Sequence, residues 1–478
     1  MPLIIPSSGA KTTAAYSIAN SCRFDIGDTS YLTFTQGTPT DANKWTVSCW
    51  VKKSGTFSDQ DFISGFDDSS NHTAMKLEGD DTMNYNDYQA GDKGKLQTNR
   101  KFRDPSSWYH YVFVWDSDNG TAGDRMRFYV NGVEETSFST DSNPSSGQAS
   151  VLNENTKLFE IGRSSLANYF SGYLAEIVFS DGQAYAASDF GEFDSDSPTI
   201  WKPKDVSGLT FGDNGFWLDF EDSSALGNDV SGNDNDFTAT NLAAVDQSQD
   251  SPTNNFCTLN PLDGTITSSG GLAQGNTTYN KTSTGTGHNT SSLGTMGVSS
   301  GKWYWELKIT DSSDVMAGFL NAAHGAYDSN NTLFASANTT SWGWRANGDR
   351  YISATGTGSH FNTYTTNDIL SFAIDLDNDK CYAAKNGTWE DSGDPTSGAT
   401  GTGSFADLPG GIFIVPAISN HSYGAATLVH MNFGNGCFGG TAVTATADQD
   451  ENGYGLFEYA PPSGYLALCT KNLGSDGG

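Results

Sequence analysis

The chain has 478 residues, too many for one ordinary domain and enough for two or three. Its 56 Asp and Glu against 25 Lys and Arg leave a net charge of −31, a surface that repels phosphate backbones and anionic bilayers, which argues against nucleic-acid partners and membrane insertion. Charged residues are scarce at 17%, aromatics reach 12% and glycines number 54, a balance that disfavours long helices and points to an all-β chain.

In chain order, residues 1–20 are rich in Pro, Ser, Gly and Ala and read as an arm without autonomous structure. They lack a basic segment ahead of an apolar run, so they do not read as a secretory signal. Strands are expected at CRFDIG, YLTFTQ and WTVSCWVKK, the last with Trp45, Val47, Cys49 and Val51 on one face. WYHYVFVWD (108–116) is apolar on both faces and reads as a central strand packed on both sides. An Asp-rich loop, the strand RMRFYV and an Asn131-Gly132 hairpin turn follow. KLFEIGR and YFSGYLAEIVFSDGQAY are two further strands, and 187–194 reads as a short helix or turn. Residues 196–256 are dense in Asn, Asp, Ser and Gly, with one strand-like run, GFWLDFE, and read as an ordered connector. From 257 to 478 come GKWYWELKI, VMAGFL, SWGWRANGDRYIS, ILSFAIDLDNDKCYAAKNGTW, IFIVPAIS and TLVHMNFGN, which read as the strands of a second domain.

The order FDIGDTSYLTF, WTVSCWVKK, WYHYVFVWD, RMRFYVNG and FSGYLAEIVFSDGQA over residues 21–195 resembles a laminin-G-like, concanavalin A-type sandwich. The series GKWYWE, DILSFAIDLDNDK, KNGTW, VPAI and MNFG over 301–435 resembles a SPRY domain. Both resemblances imply antiparallel β-sandwiches built for recognition. The pairing of domains, the connector and the ending GLFEYAPPSGYLALCTKNL resemble bacteriophage virion proteins. That resemblance implies a tail fibre or adhesin that recognises host-surface glycan or protein. A capsid decoration or head-fibre protein carrying the same modules is the first alternative, and a carbohydrate-active enzyme the second. It also implies attachment to other virion proteins through the arm, a homo-oligomer, and release by lysis. No heptad, collagen-like or β-helical shaft repeat is visible, which weighs against a fibre.

No enzyme motif stands out. A sandwich glucanase would place two carboxylates on one strand face. The nearest series, Glu192, Asp194 and Asp196, ends in Asp and runs into Pro198, so it reads as a loop. The seven histidines form no local cluster. The six cysteines have no metal spacing and read as buried thiols, with a Cys22–Cys49 bridge left open.

Calcium takes six to eight oxygens, which a tight acidic loop can supply. Asp116, Asp118, Asn119 and Asp124 lie in such a loop, where the laminin-G resemblance implies a calcium rim. Asp229, Asn233, Asp234 and Asp236 form a second loop, and Asp375, Asp377, Asn378 and Asp379 a third. The other reading of each is a plain turn. For ligand binding, rings that stack on sugar faces are sought in loops. Tyr327, Trp342, Trp344, Tyr351, His360 and Trp389 are the candidates in the second domain, with core filling as the other reading of Trp342 and Trp344. Tyr85, Tyr88 and Tyr169 are the candidates in the first.

Overall fold

The architecture is that of a computed structural model, which describes residues 16–55, 58–264, 270–281, 290–312, 314–323, 333–335, 340–353, 355–421, 426–444 and 448–476. The chain divides between Thr253 and Asn254 into two compact units. Each is a sandwich of two sheets, and the chain is all-β.

The first unit contains β1 (Ser21–Phe24), β2 (Tyr31–Thr35), β3 (Lys44–Lys53), β4 (Gln60–Asp68), β5 (Asn71–Leu77), β6 (Thr82–Gln89) and β7 (Asp92–Lys101). It continues with β8 (Tyr109–Asp116), β9 (Met126–Val130), β10 (Val133–Glu134), β11 (Phe138–Ser142), β12 (Leu158–Ile161), β13 (Arg163–Ser164), β14 (Asn168–Tyr169) and β15 (Gly172–Asp181). The last are β16 (Gly191–Phe193), β17 (Trp201–Pro203), β18 (Phe216–Leu218), β19 (Thr238–Thr240) and β20 (Gln247–Ser248). One sheet runs β10-β9-β8-β3-β15-β1-β20, with β18 also on β15. The other runs β11-β7-β6-β5-β4-β12-β2-β19. We call them the front and the back sheet.

Alternation explains the core between them. Trp45, Val47, Cys49 and Val51 of β3 point inward, as do Tyr111, Phe113 and Trp115 of β8. They meet Met75, Leu77, Met83, Tyr85 and Leu96 of the back sheet. The alternate residues of β8, Val112 and Val114, are also buried, because a second layer covers the outer side of the front sheet. The expectation of a central strand packed on both sides is met. Asn131 (φ 48°) and Gly132 (φ 79°) both adopt left-handed backbone and close a two-residue hairpin between β9 and β10.

The connector expected at 196–256 is not a separate element. Its β18 pairs with β15, β19 with β2, and β20 with β1, so residues up to Thr253 complete the first sandwich. Its Trp201, Val206 and Phe211 pack on Val112, Val114 and Val178. The reason is physical: a front sheet apolar on both faces needs a cover, and this segment carries the apolar residues to supply it. Residues 16–20, expected in the arm, also belong here. Ile18 is buried beside Trp50, Trp108 and Tyr173, and the Tyr16 hydroxyl donates to Glu176 at 2.7 Å.

Three polar ties hold the cover down. Trp201 Nε1–H donates to His110 Nδ1 at 3.0 Å, so the other nitrogen, Nε2, carries the proton toward Ser48 Oγ at 2.8 Å. Lys52 and Asp250 form an ion pair at 2.7 Å with both side chains buried, and Trp108 Nε1 donates to the same carboxylate at 3.0 Å. Arg23 reaches Asp246 at 3.0 Å.

The second unit contains β21 (Leu259–Gly264), β22 (Gly270–Ala273), β23 (Thr278–Lys281), β24 (Ser291–Gly294), β25 (Lys302–Ser312), β26 (Val315–Asn321), β27 (Ser341–Arg345) and β28 (Asp349–Ile352). They are followed by β29 (Thr355–Ser359), β30 (Ile369–Asp375), β31 (Lys380–Lys385), β32 (Thr388–Trp389), β33 (Ala406–Asp407), β34 (Ile414–Asn420) and β35 (Thr427–Asn432). The sheets run β21-β24-β34-β26-β27-β28-β29 and β22-β23-β35-β25-β30-β31-β32. Trp303, Trp305, Phe319, Phe372 and Met431 fill the space between. Phe457 and Tyr465 from the C-terminal stretch cover Tyr304 and Tyr382 on the outer side of the second sheet. Buried Glu306 anchors that stretch by accepting from the backbone N–H groups of Glu458 at 2.8 Å and Tyr459 at 2.9 Å.

Candidate functional site

The back sheet of the first unit turns a polar and aromatic side outward. Inward Met83 and Tyr85 on β6 leave Asn84, Asn86 and Tyr88 on the outer face, and strand pairing carries that face across the sheet. Three rows result. Tyr88, His72, Phe66, Leu158 and Thr35 stand opposite one another on β6, β5, β4, β12 and β2. The first four are half-buried, Thr35 is exposed, and the rings of His72 and Tyr88 stack at 5.3 Å. Lys95, Asn86, Ala74, Ser64, Glu160 and Thr33 form the next row. Gln97, Asn84, Lys76 and Asp61 form the third.

Three buried polar atoms on this face have no hydrogen-bond partner among the described residues: His72 Nδ1, Asn84 Oδ1 and Asp61 Oδ1. Asn84 is 4% exposed and Asp61 1%. A native fold rarely leaves such atoms unmatched, so each marks a place for a water or a ligand hydroxyl. Burial pushes the Asp61 carboxyl up to about 7, against the pull of the Asn168 amide that donates to its other oxygen at 2.9 Å. Burial, and then Lys76, pushes the His72 imidazole down, which favours the neutral ring.

The short β13–β14 hairpin packs against β4. It is fixed from below by fully buried Glu160, which accepts from Ser165 N–H at 2.7 Å, Ser64 Oγ at 3.1 Å and Arg163 Nε at 2.9 Å. The Arg163 guanidinium lies 3.4 Å over the Tyr31 ring, and Tyr31 in turn meets Tyr169 at 6.3 Å.

The residues singled out from sequence fall elsewhere, with two exceptions. Tyr88 and Tyr169 are on this face, half-buried. Tyr85 is core, because the pleat turns it inward beside Phe113. Trp342 (2% exposed) and Trp344 (0%) are also core: they alternate with Gly343 on β27 and face Phe319, Phe361 and Tyr364 between the sheets. They are therefore not open to a ligand. Tyr351 is half-buried against His421, and Trp389 is half-buried over Tyr382. His360 bridges Asp391 at 2.8 Å. Tyr327 lies outside the described residues.

The acidic loops behave as turns. Asp116 Oδ1 faces Lys44 Nζ at 3.9 Å, Asp118 meets the Asn43 amide at 3.4 Å, Asn119 caps Thr121 N–H at 2.9 Å, and Asp124 sits in a single 3-10 turn. Asp229 accepts from Trp217, Ser231 and Asn235 N–H groups, and Asp375 from Asn378. Among the described residues no three His, Cys, Asp or Glu side chains converge as a metal site. Glu192 and Asp194 share Lys202 on an outer hairpin, each at 3.4 Å. All six cysteines are buried, and none is joined in a disulfide.

His72, Phe66, Leu158, Asn84, Asn86, Lys95 and Asp61 escaped the sequence reading. The alternation in TMNYNDYQ and HTAMKL was a usable signal, because it sends Met83, Tyr85, Met75 and Leu77 one way and the polar residues the other.

Residues 26–187 match the concanavalin A-like lectin/glucanases superfamily. No curated protein matches the chain. Among solved structures, the SPRY domain of human HERC1 is similar at 14% identity over 36% of this chain and 96% of that one, with a TM-score of 0.27. A heptameric SAP-like pentraxin from Limulus polyphemus is similar at 21% identity over 36% and 80%, TM-score 0.27. A putative carbohydrate binding protein from Bacteroides ovatus is similar at 13% identity over 47% and 59%, TM-score 0.32.

Proposed function

We propose that the first sandwich is a carbohydrate-binding module and that its ligand lies on the outer face of the back sheet. One observation carries the reading: an aromatic row and three unmatched buried polar atoms occur together on that single face. Rings offer flat apolar surfaces to the C–H faces of sugars, and unmatched acceptors suit sugar hydroxyls. The match of residues 26–187 to a superfamily of lectins and glucanases supports the same reading. We read the face as a binding surface, with Glu160 engaged by Arg163 and one oxygen of Asp61 by Asn168.

The finer reading is a bacteriophage virion protein that displays this module as a tail fibre or adhesin, attached to other virion proteins and recognising host-surface glycan. Its support is the resemblance of the two-domain order and of the C-terminal ending. Two experiments test the parts separately. The full chain, applied to an immobilised panel of polysaccharides, is expected to bind, and Tyr88→Ala to lose that binding. Binding that Tyr88→Ala leaves intact moves the site elsewhere. Gold-labelled antibody is expected on the tails of particles. Label on the shell means capsid decoration instead, and no labelled particle removes the virion reading.

A further inference from the structure

We infer that the ligand of this face is an unbranched polysaccharide laid across the strands and gripped along its length rather than by a terminal sugar. The inference rests on the carbohydrate reading above and adds the form of the ligand.

The first argument is length. Tyr88, His72, Phe66, Leu158 and Thr35 occupy five successive strands, so the row crosses four inter-strand gaps, about 19 Å at the usual strand spacing. That is several sugar rings, far more than one terminal residue would cover. The second is that the row is open at both ends. Thr35 is exposed at one end, and exposed Asp92, opposite Tyr88, ends it at the other. A site for a chain end would need a wall there.

The third is the side wall. The hairpin bearing Arg163, Asn168 and Tyr169 packs on β4 along the polar rows, with Asn168 tied to Asp61 and Arg163 to Glu160. Its contacts run to Asp61, Ser64 and Glu160, so it stands on the polar rows at β4 and β12, to one side of the aromatic row.

The fourth is repetition. Four successive strands each present one apolar or aromatic side chain, Tyr88, His72, Phe66 and Leu158, and none of the four is fully buried. A polymer that repeats an apolar ring face and a hydroxyl edge fits such a lattice. A peptide strand does not, because its main affinity comes from backbone hydrogen bonds at a sheet edge, and this is a sheet face.

The test is calorimetric titration of the full chain with linear oligomers of two to six residues in the cello, malto, manno, xylo and galacturonic series, with the parent polysaccharides alongside. The expected result is one series whose affinity rises at least about tenfold from dimer to tetramer and then levels off. In that series Tyr88→Ala and Phe66→Ala, on β6 and β4 with only β5 between them, each lower tetramer affinity about tenfold. His72→Gln is the second variant should either alanine variant fail to fold. Thermal melts identify such a failure. A dimer that binds as tightly as the hexamer, or a tetramer that ignores either alanine variant, overturns the extended mode while leaving carbohydrate binding in place. Failure of every oligomer and polysaccharide to bind overturns the carbohydrate reading itself.

Discussion

The two outer faces of the first sandwich were made by the same rule of alternation and met opposite fates. Both belong to eight-stranded sheets. On the front sheet the outward residues are Val112, Val114, Val178 and Trp50, and later chain segments have closed over them. On the back sheet the outward residues are Asn86, Lys95, Lys76, His72 and Tyr88, and a short hairpin covers part of the surface. An apolar outer face recruits more of its own chain, and a polar one stays available for a ligand. The second sandwich repeats the first case, with Phe457 and Tyr465 closing over Tyr304 and Tyr382.

That difference can be broken or sharpened by mutation. The largest effect belongs to the covered face. Asp250→Ala leaves Lys52 buried without its partner and removes the acceptor for Trp108, so stability is expected to fall by about 3–5 kcal/mol in urea unfolding. A loss under about 1 kcal/mol would mean that the cover is not held by this pair. Of similar size, Trp344→Ala opens a hole in the second core at about 3–5 kcal/mol, whereas Trp389→Ala, half-buried at the surface, is expected to cost about 1 kcal/mol. Equal costs would return Trp344 to the surface.

The pH response comes next. Burial pushes Glu176 under Tyr16 up to about 8, with Asp219 adding in the same direction. A raised carboxyl contributes stability that is fully present below its unfolded value near 4.5 and is lost as pH rises through 8. Glu176→Gln should therefore match the parent near pH 4 and exceed it at pH 9 by on the order of 1–3 kcal/mol. His110, pushed down to about 3 by burial, works from the other side. Its contribution is complete above its unfolded value near 6.5 and is lost as pH falls toward 3. His110→Gln should flatten that acid limb of the melting curve.

On the open face the same kind of change should barely touch stability. Tyr88→Ala is expected to shift it by less than about 1 kcal/mol while binding falls about tenfold. A large destabilisation would make the aromatic row structural. The smallest expected effect is that of chelation. With Asp116 facing Lys44, and Asp118 and Asn119 occupied by neighbouring amide groups, EDTA should leave the melting temperature unchanged. A drop that calcium restores would show that the loop holds the cation.

Much of the fold was legible because local signals agreed with tertiary ones. Val47 and Cys49 on one face of β3, the doubly apolar β8 and the Asn131-Gly132 turn each needed no information from distant residues. Strands 60–101 were not read, although their alternation is clear in retrospect, because polar outward residues such as Asn84 and Lys95 make them look like loop. The connector was misread for the converse reason. Its Asn, Asp and Gly signal turns correctly, yet turns say nothing about what Trp201, Val206 and Phe211 pack against.

The sequence by itself determined the all-β class and the faces of the strongest strands, since period-two alternation is a property of neighbouring residues. Only the tertiary structure decided which outer face stays bare and which aromatics line it. Tyr85 and Tyr88 sit three residues apart in one strand, one in the core and one on the open face. Likewise the row from Tyr88 to Thr35 joins residues far apart along the chain. Such a row exists only when strand order and register set those residues side by side, and no local pattern encodes either.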